Sequence, residues 1–129
     1  MKLYLDKPAN LNLVTGYGSD HVLINRERHE GNLLLSTDRV VNAWAPAAAA
    51  DLSGLTADDL AAVVGSGTEI LIVGTGQRQR FPSPALLRPL IEARIGFEFM
   101  DLAAACRTYN ILASEGRAVT LALLFEGER

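Results

Sequence analysis

Glu69-Ile70-Leu71-Ile72-Val73-Gly74-Thr75-Gly76 is the stretch that decides the fold. An unbroken apolar run bounded by glycine is what a strand covered on both faces requires, because both of its rows of side chains must be apolar. The segment is therefore expected to be a central strand. Downstream, Ser83-Pro84 places an N-cap and then proline at the first helical position, and Leu86, Leu87, Leu90 and Ile91 recur with helical spacing until Gly96. Gly96-Phe97-Glu98-Phe99-Met100 alternates as a strand. Asp101 is an N-cap for a further helix with an apolar stripe of Leu102, Ala105, Cys106, Tyr109, Leu112 and Ala113, closed by Gly116. Arg117 to Phe125 reads as the last strand. The region 68–125 is thus a βαβαβ unit, whose parallel crossovers should be right-handed with helices covering the sheet.

Upstream of the central strand the grammar differs. Thr56-Ala57-Asp58-Asp59 opens a short helix with a capping box and an acidic first turn; Leu60, Val63 and Val64 are expected to face inward, and Gly65-Ser66-Gly67 ends it. Ala47 to Ala50, between Pro46 and Gly54, has no polar face and reads as a connection. Residues 1–50 punctuate as antiparallel β structure. Leu11 to Thr15 and His21-Val22-Leu23-Ile24 form a hairpin about the turn Gly16-Tyr17-Gly18-Ser19-Asp20. Asn25 to Gly31 is too polar to bury and is expected as a charged tip, followed by strands at Asn32–Leu35 and Arg39–Trp44.

The chain has 129 residues and 13.9 kDa, a length that argues for a single domain, 1–129, with a core that needs neither disulfides nor metal. Hydrophobic residues are 49% and charged residues 21%, which excludes a disordered or fibrous chain. The net charge is −3, whereas duplex binding requires phosphate-neutralising cations on one face, so nucleic acid is not an expected partner. The lone cysteine, Cys106, fits a reducing, cytoplasmic setting. Met1-Lys2-Leu3-Tyr4-Leu5-Asp6 reaches an acid before a signal peptide could build up. The longest apolar run, Ala43 to Ala50, falls far short of the roughly twenty residues that span a bilayer. Ten arginines against two lysines, in an alanine-rich chain, point to a GC-rich bacterial coding sequence.

Chemistry is best placed in the loop after the central strand, because open α/β sheets bind ligands beyond the carboxyl ends of their strands. Its candidate anion-binding residues are Gly74, Thr75, Gly76, Arg78, Arg80 and Ser83, with Asp101 and Arg107 as candidate neighbours. Glycines there let backbone N–H groups approach an anion, and the helix start at Ser83 adds its positive end. Between Gly74 and Ile91 the only charges are Arg78, Arg80 and Arg88. Gln79 stands where a third glycine would complete a dinucleotide fingerprint, and there is no phosphate-loop lysine, so no cofactor is expected. A structural turn with solvated arginines answers to the same residues.

Other candidates have plainer readings. Cys106 lies on an apolar stripe with no base placed beside it, as a small core residue would. His21 and His29 have no metal-ligand spacing, so no metal is expected. Asp101 suits a general acid or base but suits an N-cap better. Arg107, Tyr109 and Asn110 form a polar cluster that helix surface, or packing against the glycine loop, explains as well as catalysis does. No catalytic residue is assigned.

Glu69 to Gly76, Gly96 before Phe97-Glu98-Phe99-Met100-Asp101, Ala104-Ala105-Cys106-Arg107-Thr108-Tyr109-Asn110 and Glu115-Gly116-Arg117 also form a joint pattern. With Tyr17-Gly18, Ile24-Asn25, Gly31 and Trp44, it resembles the small domain family that includes the mitochondrial complex I assembly factor 3 and the adipogenesis-associated protein with the same domain. Two residues depart from it: Leu102 where Thr would follow the Asp, and Arg26 where Gly would follow Asn25 in a tight turn. The resemblance implies a three-layer α/β domain with a mixed sheet of about five strands, helices on both faces and a small N-terminal β layer. It also implies no established enzymatic activity and a role as a partner in assembly. Two functions follow as expectations. One is a non-catalytic interaction or assembly-type module with a protein partner; the other is a small-molecule or anion-binding protein, an enzyme included, using Gly74–Ser83.

Overall fold

The Glu69–Gly76 run becomes a strand in the interior of a mixed sheet. A computed structural model describes residues 11–46 and 49–126. The N-terminal stretch Met1–Asp6, and Ala47 and Ala48 of the alanine connection, lie outside them; Ala49–Asp51 forms one turn of 3-10 helix. The strands are β1 (Val14–Tyr17), β2 (His21–Ile24), β3 (Glu27–Glu30), β4 (Leu33–Ser36), β5 (Arg39–Asn42), β6 (Ile70–Thr75), β7 (Gly96–Met100) and β8 (Val119–Leu124). The helices are α1 (Ala57–Ala61), α2 (Pro84–Glu92) and α3 (Leu102–Ser114).

Strands β1-β2-β3 form an antiparallel sheet, and a five-stranded sheet has the order β5-β4-β8-β6-β7. Strands β6, β7 and β8 run parallel, whereas β4 and β5 are antiparallel additions at one side. The chain steps from β6 through α2 outward to β7, then through α3 back across β6 to β8. Since α2 and α3 lie on opposite faces, these opposite steps give both crossovers the same hand, as right-handed winding requires.

Alternation divides the core. Leu33, Leu35, Ile72, Leu121 and Leu123 point to α3 and to the inner residues Val14, Val22 and Ile24 of the smaller sheet. Leu34, Leu71, Val73, Ala122 and Leu124 point the other way, toward Leu60, Leu90 and Trp44. Every residue of β8 is buried, and at about 1.5–3 kcal/mol per buried large aliphatic side chain this strand is a principal source of stability.

The structure corrects several local expectations. Asn25–Gly31 is exposed but is not merely a tip: Glu27–Glu30 pairs with β2, residue for residue. Asn25 and Arg26 both take positive φ, 50° and 73°, so the two-residue turn forms even with arginine in the place best suited to glycine. The polarity of β3 hid it, because an edge strand lying on another strand needs no apolar face. Val64 and Ile91 are exposed rather than inward, since α1 ends at Ala61 and α2 buries chiefly Leu90. Helix α2 ends at Glu92, before Gly96, which opens β7; Arg94 at φ 60° turns the chain instead. Ser83 is at the N-cap position but makes no side-chain capping bond. The capping box of Thr56 and Asp59 is present as expected.

Candidate functional site

Strands β6, β7 and β8 all end at the same margin of the sheet. The loop after β6 leads to α2 on one face and the loop after β7 leads to α3 on the other. Adjacent carboxyl ends that diverge in this way open a crevice, the usual ligand position in α/β sheets. A cavity of about 350 Å³ lies there, walled by Tyr17, Ser19, Gln77, Asp101, Leu102 and Glu126 among others.

The two glycines at this margin have different tasks. Gly74 is not in the left-handed region; its lack of a side chain lets α3 approach, for a Cβ would lie 2.9 Å from Leu123 Cδ2 and 3.3 Å from Leu102 Cα. Gly76 does take positive φ, 76°, and its bare face holds a carboxylate: a Cβ there would overlap Glu126 Oε2. That same oxygen accepts the Gln77 N–H at 3.1 Å.

Thr75 is wholly buried, and its hydroxyl lies 2.7 Å from the Arg78 carbonyl and 3.0 Å from the Met100 carbonyl while accepting the Arg80 N–H at 3.1 Å. Gln79 Nε2 donates to the Phe99 carbonyl at 2.9 Å. Arg80 turns inward: its Nη1 lies 3.0 Å from the Thr75 carbonyl, 3.1 Å from the Ala50 carbonyl and 3.4 Å from Glu126 Oε2. Bonds to a charged group contribute about 1.5–3 kcal/mol each, so the two carbonyls together supply about 3–6 kcal/mol, of the same order as the roughly 4 kcal/mol that millimolar binding of an external anion represents. Arg80 is therefore held by its own chain. Arg78 and Ser83 are exposed, and neither lines the crevice.

Asp101 caps α3, with Oδ1 accepting the Ala104 N–H at 2.9 Å, and Leu102, buried in the position where a Thr was expected, does not disturb that cap. Arg107 is exposed on α3. Tyr109 and Asn110 do not face the glycine loop: the Tyr109 hydroxyl donates to the Asn12 carbonyl at 2.9 Å, and Asn110 bonds the Val14 backbone. The polar cluster is a clasp for the smaller sheet. Burial pushes the Cys106 thiol up to about 12, partly opposed by Arg107, and pushes the Tyr109 phenol up as well, with Asp38 adding to it. Cys106 is consequently a protonated core residue. Among the described residues no three His, Cys, Asp or Glu side chains gather as a metal-holding group.

Sequence reasoning missed Glu126, Tyr17 and Ser19. Glu126 carried a signal, an acid just beyond the last parallel strand and hence at the same margin as Gly76. A second, larger groove of about 550 Å³ was also missed. It lies at the opposite end of the sheet, between the β4–β5 turn and the turns after α1, and is lined by hydroxyls including Ser66, Thr68 and Thr120. Thr68 and Thr120 hydroxyls pair at 2.6 Å, and Ser66 joins Thr68 at 2.8 Å.

A family model described as "Protein of unknown function (DUF498/DUF598)" matches residues 14–124. A solved structure of a Bordetella parapertussis protein is 41% identical, covers 91% of this chain and 98% of its own, and superposes with a TM-score of 0.80. The NADH dehydrogenase [ubiquinone] 1 alpha subcomplex assembly factor 3 of Xenopus tropicalis is 28% identical over 90% of this chain and 62% of its own length. A "13 kDa major membrane protein" of Francisella tularensis subsp. holarctica is 28% identical over 57% of this chain and 60% of its own. The chain thus spans about three-fifths of the length of these two curated relatives. No helix among the described residues is long and apolar enough to cross a membrane.

Proposed function

The chain belongs to the DUF498/DUF598 family of proteins of unknown function, and on that premise we propose that it is a protein-interaction module of assembly type that works without catalysing a reaction. The observation that carries this reading is the inward engagement of the loop after β6, where Thr75 and Gln79 bind the end of β7 and Arg80 binds the carbonyls of Thr75 and Ala50. Polar groups so engaged serve to hold a shape. The resemblance to a protein named as an assembly factor supports the same reading. The exposed apolar side chains Phe81 and Ile91, before and on α2, offer a surface that a protein partner would cover. A reducing aqueous compartment such as the cytoplasm suits the single, buried Cys106.

Affinity capture of the tagged full chain from the cell that makes it tests this, with the double variant F81S/I91S alongside. The expected result is a stoichiometric partner retained by the unaltered chain and lost from the variant. A chain that co-purifies with no partner, or whose partner is indifferent to both substitutions, counts against this surface. A second reading, a small-molecule or anion-binding protein using Gly74–Ser83, draws support from the crevice at the strand ends.

A further inference from the structure

We infer that Glu126 is a displaceable occupant of an oxyanion cradle formed by Gly76, the Gln77 amide and the Arg80 guanidinium, and that a small carboxylic acid with an apolar body, seated in the adjoining crevice, takes its place. This rests on the small-molecule reading and goes beyond it by naming the recognising groups, the ligand class and an internal competitor.

The cradle is recognised by what it already holds. Glu126 Oε2 receives the Gln77 N–H and lies beside Arg80 Nη1, over a glycine whose left-handed backbone leaves room for the carboxylate. These are the contacts by which proteins bind carboxylates, a backbone donor reinforced by a guanidinium. Here the chain supplies the anion itself.

Only a side chain must move for the cradle to open. The preceding residue, Phe125, is buried, and its N–H donates to Asn32 Oδ1 at 2.8 Å, while Asn32 Nδ2 donates to the Pro46 carbonyl at 2.6 Å. Backbone is thereby fixed up to the residue before Glu126. The Glu126 side chain is 25% exposed, so rotation about its own bonds carries it into solvent without disturbing β8.

The crevice sets the class of ligand. Its volume, about 350 Å³, lies at the small end of ligand sites, and it adjoins the cradle through Gly76, Gln77 and Glu126. Leu102 and Ala103 offer apolar wall and Tyr17 an aromatic one. Asp101 also lines it, and a dianion such as phosphate would meet that like charge, whereas a monocarboxylate only replaces the charge that Glu126 withdraws. Exchanging one carboxylate for another keeps the cradle's bonds, so the incoming ligand gains by burying its apolar body. It must still overcome a tethered competitor, whose effective concentration is of millimolar order or above. Weak binding to the unaltered chain and tighter binding without Glu126 are the signature.

The test titrates sodium phenylacetate into the full chain and its E126A variant, following amide NMR shifts. Saturable shifts at Gln77 and Leu102 are expected, with at least about tenfold tighter binding to E126A. Inorganic phosphate should bind more weakly than phenylacetate, and benzyl alcohol, which has the ring without the carboxylate, should not saturate. Equal affinity in both proteins, no saturable shift at Gln77 in E126A, or benzyl alcohol matching phenylacetate would each overturn the inference. If E126A does not fold, E126Q keeps the side chain's size and weakens its hold on Arg80; it should bind phenylacetate more tightly than the unaltered chain, and failure to do so is equally decisive.

Discussion

The side-chain amide of Asn110 pairs with the backbone of Val14 as a neighbouring strand would: its Oδ1 accepts the Val14 N–H at 2.9 Å and its Nδ2 donates to the Val14 carbonyl at 2.8 Å. Helix α3 thus extends hydrogen bonding to β1 across 96 residues of sequence. Replacing Asn110 by alanine leaves a donor and an acceptor of Val14 without partners. N110A is expected to lose about 1–3 kcal/mol in urea unfolding, with amide exchange rising first in β1 and β2. An asparagine-to-aspartate change keeps the acceptor of the Val14 N–H and loses the donor to its carbonyl, so N110D should retain protection at the Val14 amide while staying less stable than the unaltered chain. Unchanged protection of β1 in N110A would show that apolar packing alone holds this sheet.

Gly74 separates steric from conformational need for glycine. Its φ requires no glycine, yet a methyl there would meet Leu123 Cδ2 at 2.9 Å, Ala105 Cβ at 3.1 Å and Leu102 Cα at 3.3 Å. Leu123 and Ala105 are fully buried and Leu102 presents backbone, so none of these neighbours is free to move aside. G74A should therefore cost about 1–3 kcal/mol by overpacking. Calorimetry of G74A decides this; an unchanged melting temperature would mean that α3 shifts away freely.

Much of the fold was legible because periodicity and packing agree in the second half. Ile70–Val73, apolar on both faces, could only be an interior strand, and the stripe from Leu102 to Ala113 could only lie on a sheet. The failures share a cause. Strand β3 is read from pairing rather than from burial, and Val64 and Ile91 sit where a helix ends or turns from the core, which spacing does not reveal. At the site, Gly76 and Arg80 are neighbours in sequence and lie at one margin of the sheet, whereas Glu126 comes from 46 residues away and only the order of the strands, not local spacing, points to it. Nor does the adjacency of Tyr109 and Asn110 tell which element they clasp.

Cys106 should be inert and should make the protein sensitive to alkali. Its thiol, pushed from an ordinary 9.0 up to about 12 by burial, leaves a thiolate fraction on the order of 10⁻⁴ at pH 8. Thiol reagents are expected to label it only through opening of the fold. The unfolded thiol loses its proton above about 9 while the folded one retains it, so the unfolded state binds fewer protons and stability falls as pH rises from about 9 toward about 12. Tyr109, also raised, acts in the same direction from its ordinary 10.0 upward. C106A should flatten the first part of that decline in pH-dependent unfolding. Labelling at the rate of the unfolded chain would count against this account.

The Thr75 hydroxyl ties the loop to the end of β7 and organises the cradle from beneath. It faces the carbonyls of Arg78 and Met100 and receives the Arg80 N–H, all within a position that has no solvent exposure. Valine has nearly the same shape, so T75V removes the hydroxyl while leaving the volume filled. The single hydroxyl proton is shared between the two carbonyls, so T75V costs the Arg80 N–H its acceptor and the carbonyls their one donor, and a loss of about 1–3 kcal/mol is expected. Packing arguments alone predict almost none, because the apolar bulk is conserved. Serine supplies the hydroxyl without the methyl, so T75S should recover most of what T75V loses if hydrogen bonding governs the site and little if packing does. The two explanations also differ in place. Loss of the hydroxyl frees the Arg80 N–H and should raise amide exchange across Gln77–Arg80 while β6 itself stays protected, whereas a packing defect would spread through Leu71 and Val73. Urea unfolding of the unaltered chain, T75V and T75S, read together with exchange at these amides, separates the two.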